Sequence, residues 1–147
     1  QDHLEVREES GGRSISKLNV FCGRTLPLPL MSSGSSLTLI FKSYTSAKHV
    51  TGFLATYRFT TDFGLNSGTQ LIEEHPCTFI FNSSEHLIGE FYSPNPGGMY
   101  PRNTECNYIF QGMDNQKVRI NFHYFDMEGV MPCTEATASD YLEFSNW

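Results

Sequence analysis

Residues 100–144 read YPRNTECNYIF, then KVRINFHYFDME, then a cysteine at position 133, then SDYLEF. If residues 117–124 are extended, Val118, Ile120, Phe122 and Tyr124 share one face. That period of two is a strand pattern and suits no helix. The spacing predicts strands over 105–111 and 117–124, joined by a hairpin-like connection through Gly112-Met113-Asp114-Asn115. A long loop over 126–139 holds Cys133, and another strand begins at 140–144. Two carboxylates, Glu128 and Asp140, fall in or beside that loop.

The same rhythm runs through the rest of the chain. Residues 3–6 and 14–21 alternate as strands, with a turn expected over 8–12. Pro27 and Pro29 remove backbone donors, so 25–31 is an edge or connecting segment. A polar turn around Gly34 precedes a strand over 37–42. Residues 52–59 place Phe53, Ala55, Tyr57 and Phe59 on one face, predicting a strand that pairs with 37–42. Between 60 and 76 the pattern fails in a turn-rich, polar stretch, which reads as a linker. Strands resume over 78–81 and 85–92, and Ser93-Pro94-Asn95-Pro96-Gly97-Gly98 forms multiple turns. No amphipathic helix is found. One internal echo links Asp2-His3-Leu4-Glu5-Val6 to Asp140-Tyr141-Leu142-Glu143-Phe144.

Composition excludes several functions. Ten Lys and Arg against 16 Asp and Glu give a net charge of −6, with no basic footprint for nucleic acid and no polybasic membrane patch. No apolar run reaches the roughly 18–20 residues a membrane helix needs. Cys22, Cys77, Cys106 and Cys133 are far apart and form no C-x-x-C pair, which removes zinc-ribbon and thioredoxin-like chemistry. Widely spaced cysteines in a β-rich chain indicate disulfides and an oxidising compartment. The sequon Asn82-Ser83-Ser84 agrees with secretion and marks Asn82 as a glycosylation site. Five histidines are scattered without a metal spacing, and there is no nucleophile elbow or phosphate loop, so no enzyme is expected. The chain opens at Gln1 without a signal peptide, as an excised or processed segment would.

Taken in order, these residues resemble a CUB domain, an extracellular antiparallel β-sandwich (a jelly-roll type) used for binding. The family's opening half is matched by Cys77, Gly89, Ser93-Pro94-Asn95, Tyr100-Pro101, Cys106 with Tyr108, the stretch 122–128, Cys133 and Asp140-Tyr141-Leu142. Its closing half is matched by Asp2, Cys22-Gly23, the turn over 32–36, the strand 37–43 and Gly52-Phe53-Leu54-Ala55-Thr56-Tyr57. The resemblance therefore implies an all-β chain holding two incomplete halves. Residues 1–59 would close a first CUB domain, 60–76 would link, and 77–147 would open a second.

By the family pattern Cys77 pairs with Cys106. Cys22 would pair with a cysteine before residue 1 and Cys133 with one after residue 147. The alternative is a permuted sandwich in which the two halves complement each other and Cys22 bonds Cys133. Many CUB domains also hold a calcium ion between three carboxylates. Here Glu128 and Asp140 match two of them and Tyr100 matches an orienting tyrosine. The third would lie beyond Trp147. In the first half Asp2 matches, but Tyr44 stands where the third carboxylate belongs, and a phenol is a poor ligand for a hard cation.

The resemblance implies a non-catalytic extracellular module that binds a protein partner. It would be secreted or part of a membrane protein's ectodomain, in a tandem array like those of the neuropilin- and tolloid-like and suppressor-of-lurcher groups. Glu128 and Asp140, with calcium, would present an acidic surface to a partner's basic side chain. Two alternatives stay open: a regulatory segment of a secreted tolloid- or complement-type protease, and a carbohydrate-binding protein like the spermadhesins.

Overall fold

The computed structural model describes residues 2–10, 13–44, 49–71, 75–134, 136–137 and 139–145. The described residues form strands, turns and irregular chain, with no helix, as the all-β reading expects. They divide into a unit of Gln1–Gln116 and a unit of Lys117–Trp147.

The first unit holds two three-stranded sheets. β1 (His3–Ser10), β2 (Arg13–Phe21) and β3 (Leu37–Lys42) form an antiparallel sheet in the order β2-β1-β3. β1 is central, and its two faces do different work. Val6 is fully buried on one face, beside Leu39 of β3. On the other face the Glu5 carboxylate, also buried, accepts from Arg7 Nε at 2.6 Å and Lys42 Nζ at 2.9 Å. Glu8 is buried too. Its Oε1 accepts from the Ser33 amide, from Ser33 Oγ at 2.7 Å and from the Gly34 amide at 3.2 Å. That carboxylate fixes the turn that launches β3. A buried acceptor with three donors is satisfied, which is why a charged side chain can sit there. The turn expected over 8–12 does not begin at Glu8: β1 runs on through Ser10, and residues 11–12 lie outside the described residues.

β4 (Thr69–Gln70), β5 (Thr78–Asn82) and β6 (Asn107–Gln111) form the second sheet. β4 and β5 are antiparallel, while β5 and β6 run parallel. Its core is Leu65, Cys77 and Phe79, with Phe63, Phe81, Cys106 and Tyr108 packed against it. Leu65 and β4 fall within the stretch 60–76, so part of that stretch contributes to this core. Phe91 closes the aromatic group, with ring centroids 5.0 Å from Phe110 and 5.4 Å from Tyr108. Burial pushes the Tyr108 phenol up to about 12, and its hydroxyl donates to the Tyr92 carbonyl at 2.8 Å.

Four expected strands are not paired in the structure. Residues 52–59, 85–92, 117–124 and 140–144 carry no ladder. The expected partner of 52–59 was the strand at 37–42, but β3 pairs with β1 instead. Leu54, Tyr57 and Phe59 stand almost fully exposed, and Phe53 meets Phe41 of β3 edge-on, with ring centroids 6.0 Å apart. Alternation marks a face that needs covering; it does not supply the neighbour whose amides make a ladder. At 112–116 the chain does turn, through Gln116 N–H to Met113 O at 2.9 Å, but no second hairpin strand follows.

The buried ion group predicts an acid transition. The Arg7 and Lys42 hydrogen bonds hold the Glu5 carboxyl at about 2, below its ordinary 4.5. A group depressed by folding stabilises above its unfolded pKa and loses that contribution as pH falls through the folded one. Stability to urea should therefore decline between about pH 4.5 and 2, and Glu5→Gln should flatten that decline while lowering stability at pH 7. An unchanged pH profile in the variant would remove Glu5 as the cause.

Candidate functional site

The carboxylate loop lies in the unit of residues 117–147. The Asp140 amide donates to the Glu128 carbonyl at 3.3 Å, and Ser139 Oγ donates to the same oxygen at 3.1 Å. The loop over 128–140 is thus closed at its base, and the acidic residues at its two ends, Glu128 and Asp140, are brought to one backbone crossing. Gly129 passes close: a Cβ there would stand 3.8 Å from the Asp140 carbonyl. Glu128 is exposed and Asp140 half-buried. Inside the loop, Thr137 Oγ1 pairs with Thr134 Oγ1 at 2.9 Å, and the Thr137 amide donates to the Thr134 carbonyl at 3.0 Å.

Calcium takes six to eight oxygen ligands. Glu128 and Asp140 offer two carboxylates, and among the described residues no group of three His, Cys, Asp or Glu is gathered to hold a metal. The described residues therefore do not complete a calcium shell. Tyr100, the expected orienting residue, belongs to the other unit, where it is half-buried and lines a cleft of about 50 Å³ with Glu8, Leu30, Met31 and Met99.

In the first unit the matching position has another occupant. Asp2 Oδ1 accepts the Tyr44 amide at 2.7 Å, and Ser43 Oγ reaches Oδ2 at 3.5 Å. The Tyr44 ring lies over His3, with centroids 6.2 Å apart and planes 27° from parallel. A backbone N–H supplies the Asp2 carboxylate with a partner, and the Tyr44 ring packs on a neighbouring ring. This arrangement ties the end of β3 to the start of β1.

The cysteines divide as two and two. Cys77 and Cys106 are bonded, with Cα atoms 4.6 Å apart. Cys22 in the first unit and Cys133 in the second are exposed free thiols. Asn82 ends β5.

Sequence reasoning missed a junction within the first unit. Asn95 adopts φ +58°, a left-handed conformation that asparagine tolerates better than most residues. Its Nδ2 donates to the Pro29 carbonyl at 3.0 Å and to the Met99 carbonyl at 2.8 Å, while its amide donates to Phe63 O at 2.9 Å. The Met99 amide also donates to Pro29 O at 3.0 Å. Gly98 permits this approach, since a Cβ there would fall 2.6 Å from the Pro29 carbonyl. The signal was the Pro-Asn-Pro-Gly-Gly sequence, which announced a turn but could not name the segment it docks on.

The profile of the CUB domain family matches residues 1–57 and 77–146. Cubilin from Sus scrofa is 30% identical over 146 residues, covering 99% of this chain and 4% of that protein. The dorsal-ventral patterning protein tolloid of Drosophila melanogaster is 27% identical, covering 90% of this chain and 14% of that protein. Neuropilin-1a of Danio rerio is 26% identical, covering 97% and 13% respectively. The chain thus spans only a small part of each relative. No solved structure matches it.

The pairing pattern predicts a labelling outcome. Alkylation of the unreduced chain should modify Cys22 and Cys133 and leave Cys77 and Cys106 untouched. Reducing the Cys77–Cys106 bond, whose partners are 29 residues apart, should cost roughly 3–4 kcal/mol in urea unfolding on the chain-entropy model. Protection of Cys22 and Cys133 together would favour the permuted alternative.

Proposed function

Because this chain belongs to the CUB domain family, we propose that it is a non-catalytic, extracellular protein-binding segment of a tandem CUB ectodomain. Residues 1–59 close one domain, 60–76 link, and 77–147 open the next. The match over residues 1–57 and 77–146, interrupted between them, supports that division. Cys22 and Cys133 find their partners in chain outside residues 1–147, which agrees with their standing as exposed thiols here. No helix among the described residues is long and apolar enough to cross a membrane.

Recognition runs through the loop of residues 128–140. The observation that carries this reading is the backbone closure at Glu128 and Asp140, which holds two acidic residues on one short loop with Glu128 in solvent. Acidic residues at a closed loop base suit a partner's Lys or Arg, since an opposite charge gains most where its site is fixed beforehand. A third carboxylate from beyond residue 147 would complete a calcium shell, and the ion would stiffen the loop. The similarity to tolloid favours, as a second reading, the regulatory segment of a secreted protease; a protease domain in the flanking sequence would decide for it.

Titration calorimetry on a chain extended past residue 147 tests the calcium part. Saturable heat is expected with Kd of about 0.1–1 mM, the range of extracellular calcium modules. Asp140→Asn or Glu128→Gln should weaken it at least tenfold. No heat at millimolar calcium would sink the calcium role and leave the acidic loop as the recognition surface.

A further inference from the structure

The face of β5 that turns away from the aromatic core carries Asn82 of the sequence Asn82-Ser83-Ser84. Along β5, Phe79 and Phe81 join the aromatic core, so strand alternation turns Ile80 and Asn82 to the opposite face. In register beside them on β6 are Ile109 and Gln111. On this face Ile109 is 40% exposed and Gln111 is exposed. Asn82 is the last residue of β5, where the strand gives way to a turn. The Glu85 and His86 amides donate to its carbonyl at 3.0 and 3.2 Å, and the Ser83 amide donates to Gln111 O at 2.9 Å. The turn leads directly to Leu87 and Ile88, which are 77% and 92% exposed.

Asn82-Ser83-Ser84 is the only Asn-x-Ser/Thr sequence in the chain with a residue other than proline between. Asn82 Oδ1 accepts both the Ser84 amide at 2.9 Å and Ser84 Oγ–H at 2.8 Å. Both bonds fall on the carboxamide oxygen and neither uses Nδ2. Two donors on the oxygen draw charge from the amide and make its N–H more acidic, which is the activation an otherwise unreactive amide nitrogen needs.

We propose that Asn82 carries an N-linked glycan that shields the exposed Ile109 of β6 and the exposed Leu87 and Ile88 that follow its own turn, confining partner recognition to other surfaces. The proposal rests on the extracellular reading. In the transfer, Nδ2 loses one proton and forms a bond to the anomeric carbon of a lipid-pyrophosphate-linked oligosaccharide. The bond from that carbon to the pyrophosphate oxygen breaks, and the lipid pyrophosphate leaves with the electron pair. Nothing is oxidised or reduced. The glycan would also make a stretch with two exposed aliphatic residues soluble, since contiguous apolar surface otherwise invites association.

The full chain, placed behind a cleavable secretory leader in a eukaryotic host, provides the test. Peptide mapping before and after enzymatic glycan release in heavy-oxygen water should show a glycan on Asn82 and its conversion to a heavy-labelled aspartate. Asn82→Gln and Ser84→Ala should lose the modification entirely, and Ser83→Ala should keep it. Hydroxyl-radical footprinting should give lower labelling of Leu87, Ile88 and Ile109 with the glycan than after its release; equal labelling overturns the shielding. Secreted chain with Cys77–Cys106 oxidised and Asn82 unmodified overturns the glycan alone. Unmodified Asn82 together with reduced Cys77 and Cys106 overturns the extracellular reading as well.

Discussion

The second sheet depends on one covalent constraint. β5 and β6 run parallel, and a parallel pair cannot be joined by a tight hairpin; its strands must be brought side by side from a distance. Here the Cys77–Cys106 bond lies immediately before both strands, and the first ladder pair is Thr78 with Asn107. The Asn107 amide donates to the Cys77 carbonyl at 2.8 Å, so cross-link and ladder share an origin. With the first pair fixed, the later pairs stack Phe79 on Tyr108 and Phe81 on Phe110, the latter with centroids 4.9 Å apart. A slip by one residue would set Ile80 against an aromatic and turn the core outward. The connection between the strands is free to be irregular for the same reason, and it uses that freedom at Asn95 to grip Pro29.

The first sheet solves a different problem with charge. Its central strand carries Glu5 and Glu8, neither of which could be buried alone. Glu5 is held by two cations on its own face, one of them from the neighbouring strand β3. Glu8 is held by a turn, which gains a fixed shape from it. Both carboxylates therefore specify neighbours: Lys42 and Ser33 must arrive where β1 waits for them. Apolar contact would accept more than one partner, whereas a buried carboxylate accepts few.

How far these features were legible from residues alone varies with the kind of information each needs. Strands at 14–21, 37–42, 78–81 and 105–111 follow from local alternation and appear within a few residues of the expected places as β2, β3, β5 and β6. The Cys77–Cys106 bond followed from resemblance to a family, because spacing cannot choose among pairings. What sequence could not give was the identity of each neighbour. Residues 52–59 have the stronger alternation, yet β3 pairs with β1, whose Glu5 and Glu8 read as ordinary surface acids. The parallel sense of β5 and β6, the docking of Asn95 and the stacking of Tyr44 on His3 are likewise relations between distant residues.

The two copies of the Asp-aromatic-Leu-Glu motif are tied to their surroundings through different atoms. At Asp2 the carboxylate takes the Tyr44 amide, and the ring beside it takes His3, so the motif closes on its own chain. At Asp140 the closing bond is made by the backbone amide instead, to the Glu128 carbonyl. That exchange matters chemically. A carboxylate used as an acceptor for its own fold has part of its capacity taken, whereas between residues 128 and 140 the tie runs through amide and carbonyl. The difference follows from where the backbone donor sits.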